Sequence, residues 1–315
     1  MNNLKIILSI IYIMEVPTFD PFQYKPNISA SSRKLYTFNL IKLNGGKPIK
    51  DLKFLFKPDE ILGRLEDIKP NTRRTYLIAV VSALKDRPEA KFKKLYAKFY
   101  DPLDKLNKSL KDNTEKTPKV KENWMEQSDI NSRLEELKKI YPEIKDKKKI
   151  TPEEYQQLLK LVVLSLYTLQ APRRNKDYID CLIVRKVPED TTKNYLDITD
   201  WNWVFNNYKT QKKYNKQIIP VEPELKEILQ VYLKFHPEAK EIAKKKCAVP
   251  FLPLNSSTDM TRMLNKILGK KVGCSMIRAI FLTSKFGDQQ KDLQETADSM
   301  ATSVGTIQSN YIKKD

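Results

Sequence analysis

The sequence predicts a mainly helical α+β protein of two domains, with a small antiparallel β-sheet in the second. Three observations carry that expectation. The chain has 315 residues, where one typical domain takes roughly 150. Helical periodicity runs through most of it and breaks only at one block of short β-rich segments, within residues 180–221. Residues 111–123 (KDNTEKTPKVKEN) have no apolar periodicity and read as a basic linker. Hydrophobic residues make up 40% and aromatics 10%, enough to build packed cores.

Residues 1–27 form a lead-in. An apolar run (Ile6, Ile7, Leu8, Ile10, Ile11, Tyr12, Ile13) follows Lys5, shorter than the roughly 18 residues of a membrane span and without a small-x-small cleavage site. Either Met14 is the true start or this run is a terminal strand or helix. Pro17, Pro21 and Pro26 then keep the chain extended. Residues 28–110 predict a bundle of about four helices. Residues 31–43 place Leu35, Phe38 and Leu40 to Leu43 on one side and stop at Asn44-Gly45-Gly46. Pro58 opens a short helix with Ile61, Leu62, Leu65 and Ile68 inward. Asn71 is the expected cap of the next, which carries Tyr76, Ile78, Val80, Val81 and Leu84. A very basic helix follows Pro88, with Phe92, Leu95, Tyr96 and Phe99 as its apolar positions.

Residues 124–315 form the predicted second domain. A helix spans residues 128–141, and Thr151-Pro152-Glu153-Glu154 supplies a capping box for another, whose core face runs from Tyr155 to Leu166. Strands are expected at residues 180–187, 195–199, 203–208 and 217–221, and helices resume at Glu222.

Composition narrows the chemistry. Lys and Arg total 58 against 39 Asp and Glu, a net charge of +19, which makes a polyanion the natural partner. A codon bias toward Lys also favours Glu and Asn, so bias alone does not create that imbalance. His236 is the one histidine, which excludes two-histidine zinc centres and HExxH proteases. It precedes Pro237 and is expected at the surface. Cys181, Cys247 and Cys274 are widely spaced with no CxxC pair, so zinc ribbons, iron–sulfur clusters and a disulfide framework are not supported. An intracellular location, no membrane association, and no metal or cofactor are expected.

Four segments carry candidate chemistry. Gln170-Ala171-Pro172-Arg173-Arg174-Asn175-Lys176-Asp177 places an arginine pair in a turn after the capped helix. Tyr208-Lys209-Thr210-Gln211-Lys212-Lys213 forms a basic hairpin tip, able to set an ammonium beside a phosphate. Arg278 lies in an otherwise apolar helical run, so its guanidinium must meet a carboxylate, a carbonyl or an anion. Tyr311 ends the segment Met300 to Tyr311 near the C-terminus.

In this order the four segments resemble the tyrosine recombinase (phage-type integrase) family. The wording of the motifs is similar to integrases of large DNA viruses and their satellite elements, in which a Pro-Arg-Arg-Asn turn and a Lys-Thr hairpin recur. The resemblance covers most of the chain and implies a two-domain DNA clamp, with a helical core-binding domain, a catalytic domain, and a dimer or tetramer on duplex DNA. Arg174 matches the family's first arginine, with Asp177 in place of the usual Glu; Arg173 is the alternative in a shifted register. Lys209 matches the hairpin lysine, with Lys212 as alternative. Arg278 matches the second arginine, Thr283 also falls where the family expects it, and Tyr311 matches the nucleophile. Both of the family's histidine positions carry hydroxyls: Ser275 heads Ser-Met-Ile-Arg278, and Thr302 lies in Ala301-Thr302-Ser303. The tail after Tyr311 is shorter than in many relatives.

The resemblance implies a metal-free transesterification, in which the tyrosine attacks the scissile phosphate, forms a 3′-phosphotyrosyl link and releases a 5′-hydroxyl. Arg174 and Arg278 would hold the charge that gathers in the transition state. Lys209 would protonate the leaving oxygen. Ser275 and Thr302 can donate hydrogen bonds but are not useful bases, and loss of a base typically costs about 10²–10⁴ in rate. Further DNA contacts are expected from Arg73, Arg74, Lys91, Lys94 and Lys98 in the first domain and from Arg173, Lys212 and Lys213 in the second. The alternatives are a catalytically impaired DNA-binding protein on the same fold, and a type IB topoisomerase.

Overall fold

A computed structural model describes residues 19–112, 115–244 and 246–313. Met14 and the apolar run before it lie outside the described residues. The chain divides into two units, Met1–Glu115 and Lys116–Asp315, with the boundary inside the expected linker. That linker is not featureless. The helix before it continues to Asp112, and Pro118–Asn123 forms another, with Thr117 accepting the Val120 N–H.

The first unit is helical: α1 (Ala30–Leu43), α2 (Pro58–Glu66), α3 (Pro70–Leu84) and α4 (Ala90–Asp112). Ser29 caps α1 by accepting the Ser32 N–H, and Gly45 and Gly46 end it at positive φ. Leu40, Leu43, Ile61, Leu65, Leu77, Val80, Leu84, Leu95 and Phe99 form the core. Leu35 and Phe38 were expected on the buried side of α1 but are 46% and 47% exposed. Asn39 is buried instead and donates to the Thr75 carbonyl at 3.2 Å, so the inward face of α1 is offset from the expected one. Helix α3 starts at Pro70 with Lys69 at the cap, so Asn71 is already helical. Proline's fixed φ suits the first helical position better than a capping side chain can compete with here.

In the second unit, α5 (Pro118–Asn123), α6 (Gln127–Lys138) and α7 (Tyr141–Ile144) precede α8 (Pro152–Thr168). The Thr151–Glu154 capping box of α8 forms as expected. Helix α8 is buried from Leu161 through Tyr167 on every side, which makes it the axis of this core. Next come α9 (Asn175–Ile179), β1 (Cys181–Val184), β2 (Asn194–Asp197), β3 (Asn202–Phe205), α10 (Gln211–Tyr214) and β4 (Gln217–Pro220). The remaining elements are α11 (Pro223–Phe235), α12 (Ala239–Ile242), β5 (Ala248–Pro250), α13 (Ser257–Leu268), α14 (Cys274–Ser299) and α15 (Val304–Thr306). Among the described residues, no helix is long and apolar enough to cross a membrane.

The sheet corrects the antiparallel expectation. Its order is β4-β3-β2-β1-β5, and β1 runs parallel to β2 while the other pairs are antiparallel. Residues 185–193 double back over one face, where Val187 packs with Val184, Tyr195 and Val204 and the Tyr195 hydroxyl donates to the Asp190 carbonyl. Strand β5 was not expected, because three residues are too few to show an alternation.

His236 is also corrected, from the surface to the interior. It is 5% exposed, lies edge-on to Tyr232, and accepts the Glu238 N–H through Nδ1 at 3.0 Å. Burial lowers its pKa below the usual 6.5. The unfolded chain therefore takes up this proton first as pH falls, and stability declines below about pH 6.5. The urea midpoint should drop between pH 7 and pH 5, and drop less in His236→Asn, which retains an acceptor; an equal drop in both proteins would contradict the assignment.

Candidate functional site

The site is built on the turn between α8 and α9. Pro172 disfavours helix at Ala171, and Arg174 is the extended N-cap residue of α9. Side-chain amides fasten the turn on several sides. Gln170 donates to the Tyr178 hydroxyl at 2.7 Å and accepts the Trp203 indole N–H at 3.1 Å. Asn175 accepts from the Tyr167 hydroxyl at 2.6 Å and donates to the Ser257 carbonyl and Thr261 Oγ1, both at 2.9 Å. Asn194 joins α9 to the root of the β3–β4 hairpin.

The two arginines differ sharply. The Arg173 side chain is 17% exposed and its guanidinium is occupied by Asp177 and Gln217, stacked 3.7 Å from the Phe205 ring centre. Arg174 makes no side-chain hydrogen bond or ion pair among the described residues. Desolvation raises the Asp177 pKa, and the charges of Arg173 and Arg174 oppose that rise.

Arg278 is one turn into α14, half-buried, and its Nε donates to the Pro172 carbonyl at 3.1 Å. A carbonyl was one of the three partners expected for it. Arg173, Arg174 and Arg278 line one open cleft of about 360 Å³, with Tyr208, Thr210 and Tyr214 of the hairpin. Asp177 and Glu222 are the acidic residues in its lining, and Asp177 is already paired. Such a cleft suits an anion with an apolar flank.

The other candidates are not brought into this lining. Lys209 is exposed between Tyr208 and Thr210, which do line the cleft; Lys212 and Lys213 are exposed on α10, a single helical turn where a plain hairpin tip was expected. Ser275 is exposed in the first turn of α14. Thr302 follows the end of α14, where its N–H donates to the Ala297 carbonyl and the Ala301 N–H to Asp298. That is a Schellman ending, with Ala301 at φ 49° where glycine is usual. Tyr311 is 63% exposed in the π-helical turn Ile307–Tyr311.

In the first unit, Lys91, Lys94 and Lys98 are exposed on α4 without an ion pair among the described residues. Arg74 donates to Asn107 at 2.5 Å. Arg73 packs in a groove with Leu62, Leu77 and Leu106, its Nε buried. Sequence reasoning missed the roles of Gln170 and Asn194. An amide beside a β-rich segment looks like any turn residue until its partners are in place.

No family model, curated relative or solved structure matches the chain.

Asn175→Ala leaves the buried Tyr167 hydroxyl with only the weak Met260 Sδ acceptor at 3.5 Å, and should cost about 1–3 kcal/mol in urea unfolding. Ala301→Gly relieves a left-handed alanine and should stabilise by about 1 kcal/mol, read from the same transition.

Proposed function

We propose that this chain binds duplex DNA and cuts and rejoins it through a 3′-phosphotyrosyl intermediate at Tyr311, as a tyrosine recombinase that integrates or recombines DNA at specific sites. The observation that carries the reading is the meeting of Arg174 and Arg278, far apart in sequence, in one cleft beside the Lys209 hairpin. Their order along the chain follows the family's motif, and the Arg174 guanidinium has no protein partner among the described residues.

In this reading the two guanidiniums bind the non-bridging oxygens of the scissile phosphate and stabilise its transition state. Lys209 gives a proton to the 5′-oxygen as it leaves, and Ser275 and Thr302 donate hydrogen bonds at the family's histidine positions. Tyr311 is outside the cleft lining, so the chemistry requires it to reach the phosphate when DNA is bound. Lys91, Lys94 and Lys98, with Lys212 and Lys213, contact the backbone and hold position without reading sequence. The two units act as a clamp, and the protein works as an oligomer on DNA inside the cell.

Two observations favour a second reading, a DNA-binding protein that has lost cleavage: Tyr311 is not in the lining of the arginine cleft, and neither motif histidine is present.

A nicked suicide duplex separates the two. The wild type should accumulate a covalent adduct on a denaturing gel, Tyr311→Phe none, and Arg174→Ala or Arg278→Ala about 10²–10³-fold less in rate. Equal adduct from wild type and Tyr311→Phe rules out this tyrosine. Salt-sensitive binding without any adduct moves the conclusion to the second reading.

A further inference from the structure

Arg173 lines the cleft, yet two of its three nitrogens are already engaged by the protein. Its Nε donates to Asp177 Oδ2 at 3.1 Å and its Nη1 to Gln217 Oε1 at 2.9 Å. The guanidinium carbon is 3.7 Å from the Phe205 ring centre and 5.1 Å from that of Tyr208. These partners belong to two pieces of the fold. Asp177 is on α9, just past Arg174, whereas Phe205, Tyr208 and Gln217 belong to the two legs of the β3–β4 hairpin. Asn194 fastens the outgoing leg, accepting from the Asn206 and Asn207 N–H groups at 2.9 and 2.8 Å and donating to the Asp177 carbonyl at 3.0 Å. Among the described residues, Arg173 is the one side chain of the arginine turn that hydrogen-bonds the returning leg.

The geometry points to Arg173 as a positioning residue, whose fork and stacking set the hairpin that carries Lys209 against the turn that carries Arg174. The inference rests on the strand-transfer reading, in which Lys209 protonates the leaving oxygen. Lys209 is exposed, and both its neighbours line the cleft, so the set of the hairpin decides where its ammonium reaches. A lysine at position 173 would keep the charge but lose the two in-plane N–H bonds and the stack. Charge alone and geometry are therefore separable.

The test uses Arg173→Lys and Gln217→Ala in the full chain. The second removes only the anchor on the returning leg and leaves Asp177 paired, so it tests the idea even if the first folds poorly. Amide hydrogen exchange without DNA should rise about tenfold across residues 206–217 while α8 is unchanged. Adduct formation is then compared on nicked duplexes whose 5′-bridging atom is oxygen or sulfur. In the step, the Tyr311 oxygen bonds to phosphorus and the phenolic proton passes to water. The bond from phosphorus to the 5′-oxygen breaks with its electron pair, and Lys209 supplies the proton that oxygen needs. Sulfur leaves as a thiolate and needs none.

Both variants should lose about 10²-fold in rate on the oxygen substrate and recover the wild-type rate on sulfur. Unchanged hairpin exchange in both variants overturns the positioning role whatever the adduct assay reads. Faster exchange with a loss that persists on sulfur overturns action through Lys209. If the wild type forms no adduct on either substrate, the strand-transfer reading fails, and hairpin exchange still decides whether Arg173 sets the hairpin.

Discussion

The ion pair between Asp177 and Arg173 is buried on its acidic side and reaches an open cleft on the other, and the architecture around residues 170–178 follows from satisfying it. The Asp177 side chain is 4% exposed, and burial raises its carboxyl pKa even with Arg173 and Arg174 opposing the rise. Arg173 answers that charge directly. Removing one member of such a pair typically costs about 3–5 kcal/mol, because the survivor is left buried and unmatched. The turn must therefore close tightly against the sheet. Gln170, Asn175 and Asn194 hold it there by giving partners to hydroxyl, indole and carbonyl groups that would otherwise be stranded in the core.

This commitment divides the labour between two adjacent arginines. One guanidinium is used by the fold, and the next has no protein partner among the described residues. Arg278 arrives from α14 and is fixed to the same turn through the Pro172 carbonyl, which carries no charge to neutralise it. Two cations in one open cleft repel each other, so the lining favours the entry of an anion. The C-terminal end is held quite differently. Beyond Ile280, Ala297 and Ile307 are its buried residues among those described, and Tyr311 stands in solvent.

Much of this was legible in the residues themselves. Helices announced by proline, capping residues and 3.6-residue periodicity formed where expected, as at Thr151–Glu154 and Pro58, because those signals act within one or two turns of backbone. The strands of the central block were recognisable as well, but not the direction in which β1 meets β2. That depends on Val187 folding back onto a face that exists only once β3 is in place. His236 failed for a similar reason. A polar residue before proline reads as surface, and its burial comes from Tyr232 behind it and the Glu238 N–H in front.

The candidate site divides in the same way. Local sequence determined that an arginine pair would sit in a turn, that lysines would crowd a hairpin, and that an arginine on an apolar helix would need a partner, since each follows from short-range sterics or the cost of burying charge. Only the tertiary structure decided which arginine of the pair is spent on the fold, because that choice rests on Asp177, Phe205 and Gln217 converging from three elements. It also decided that Arg278 joins them in one lining, to which Tyr311 does not contribute. Charge and residue type are properties of the chain, whereas a guanidinium without a partner is a property of what the fold places around it.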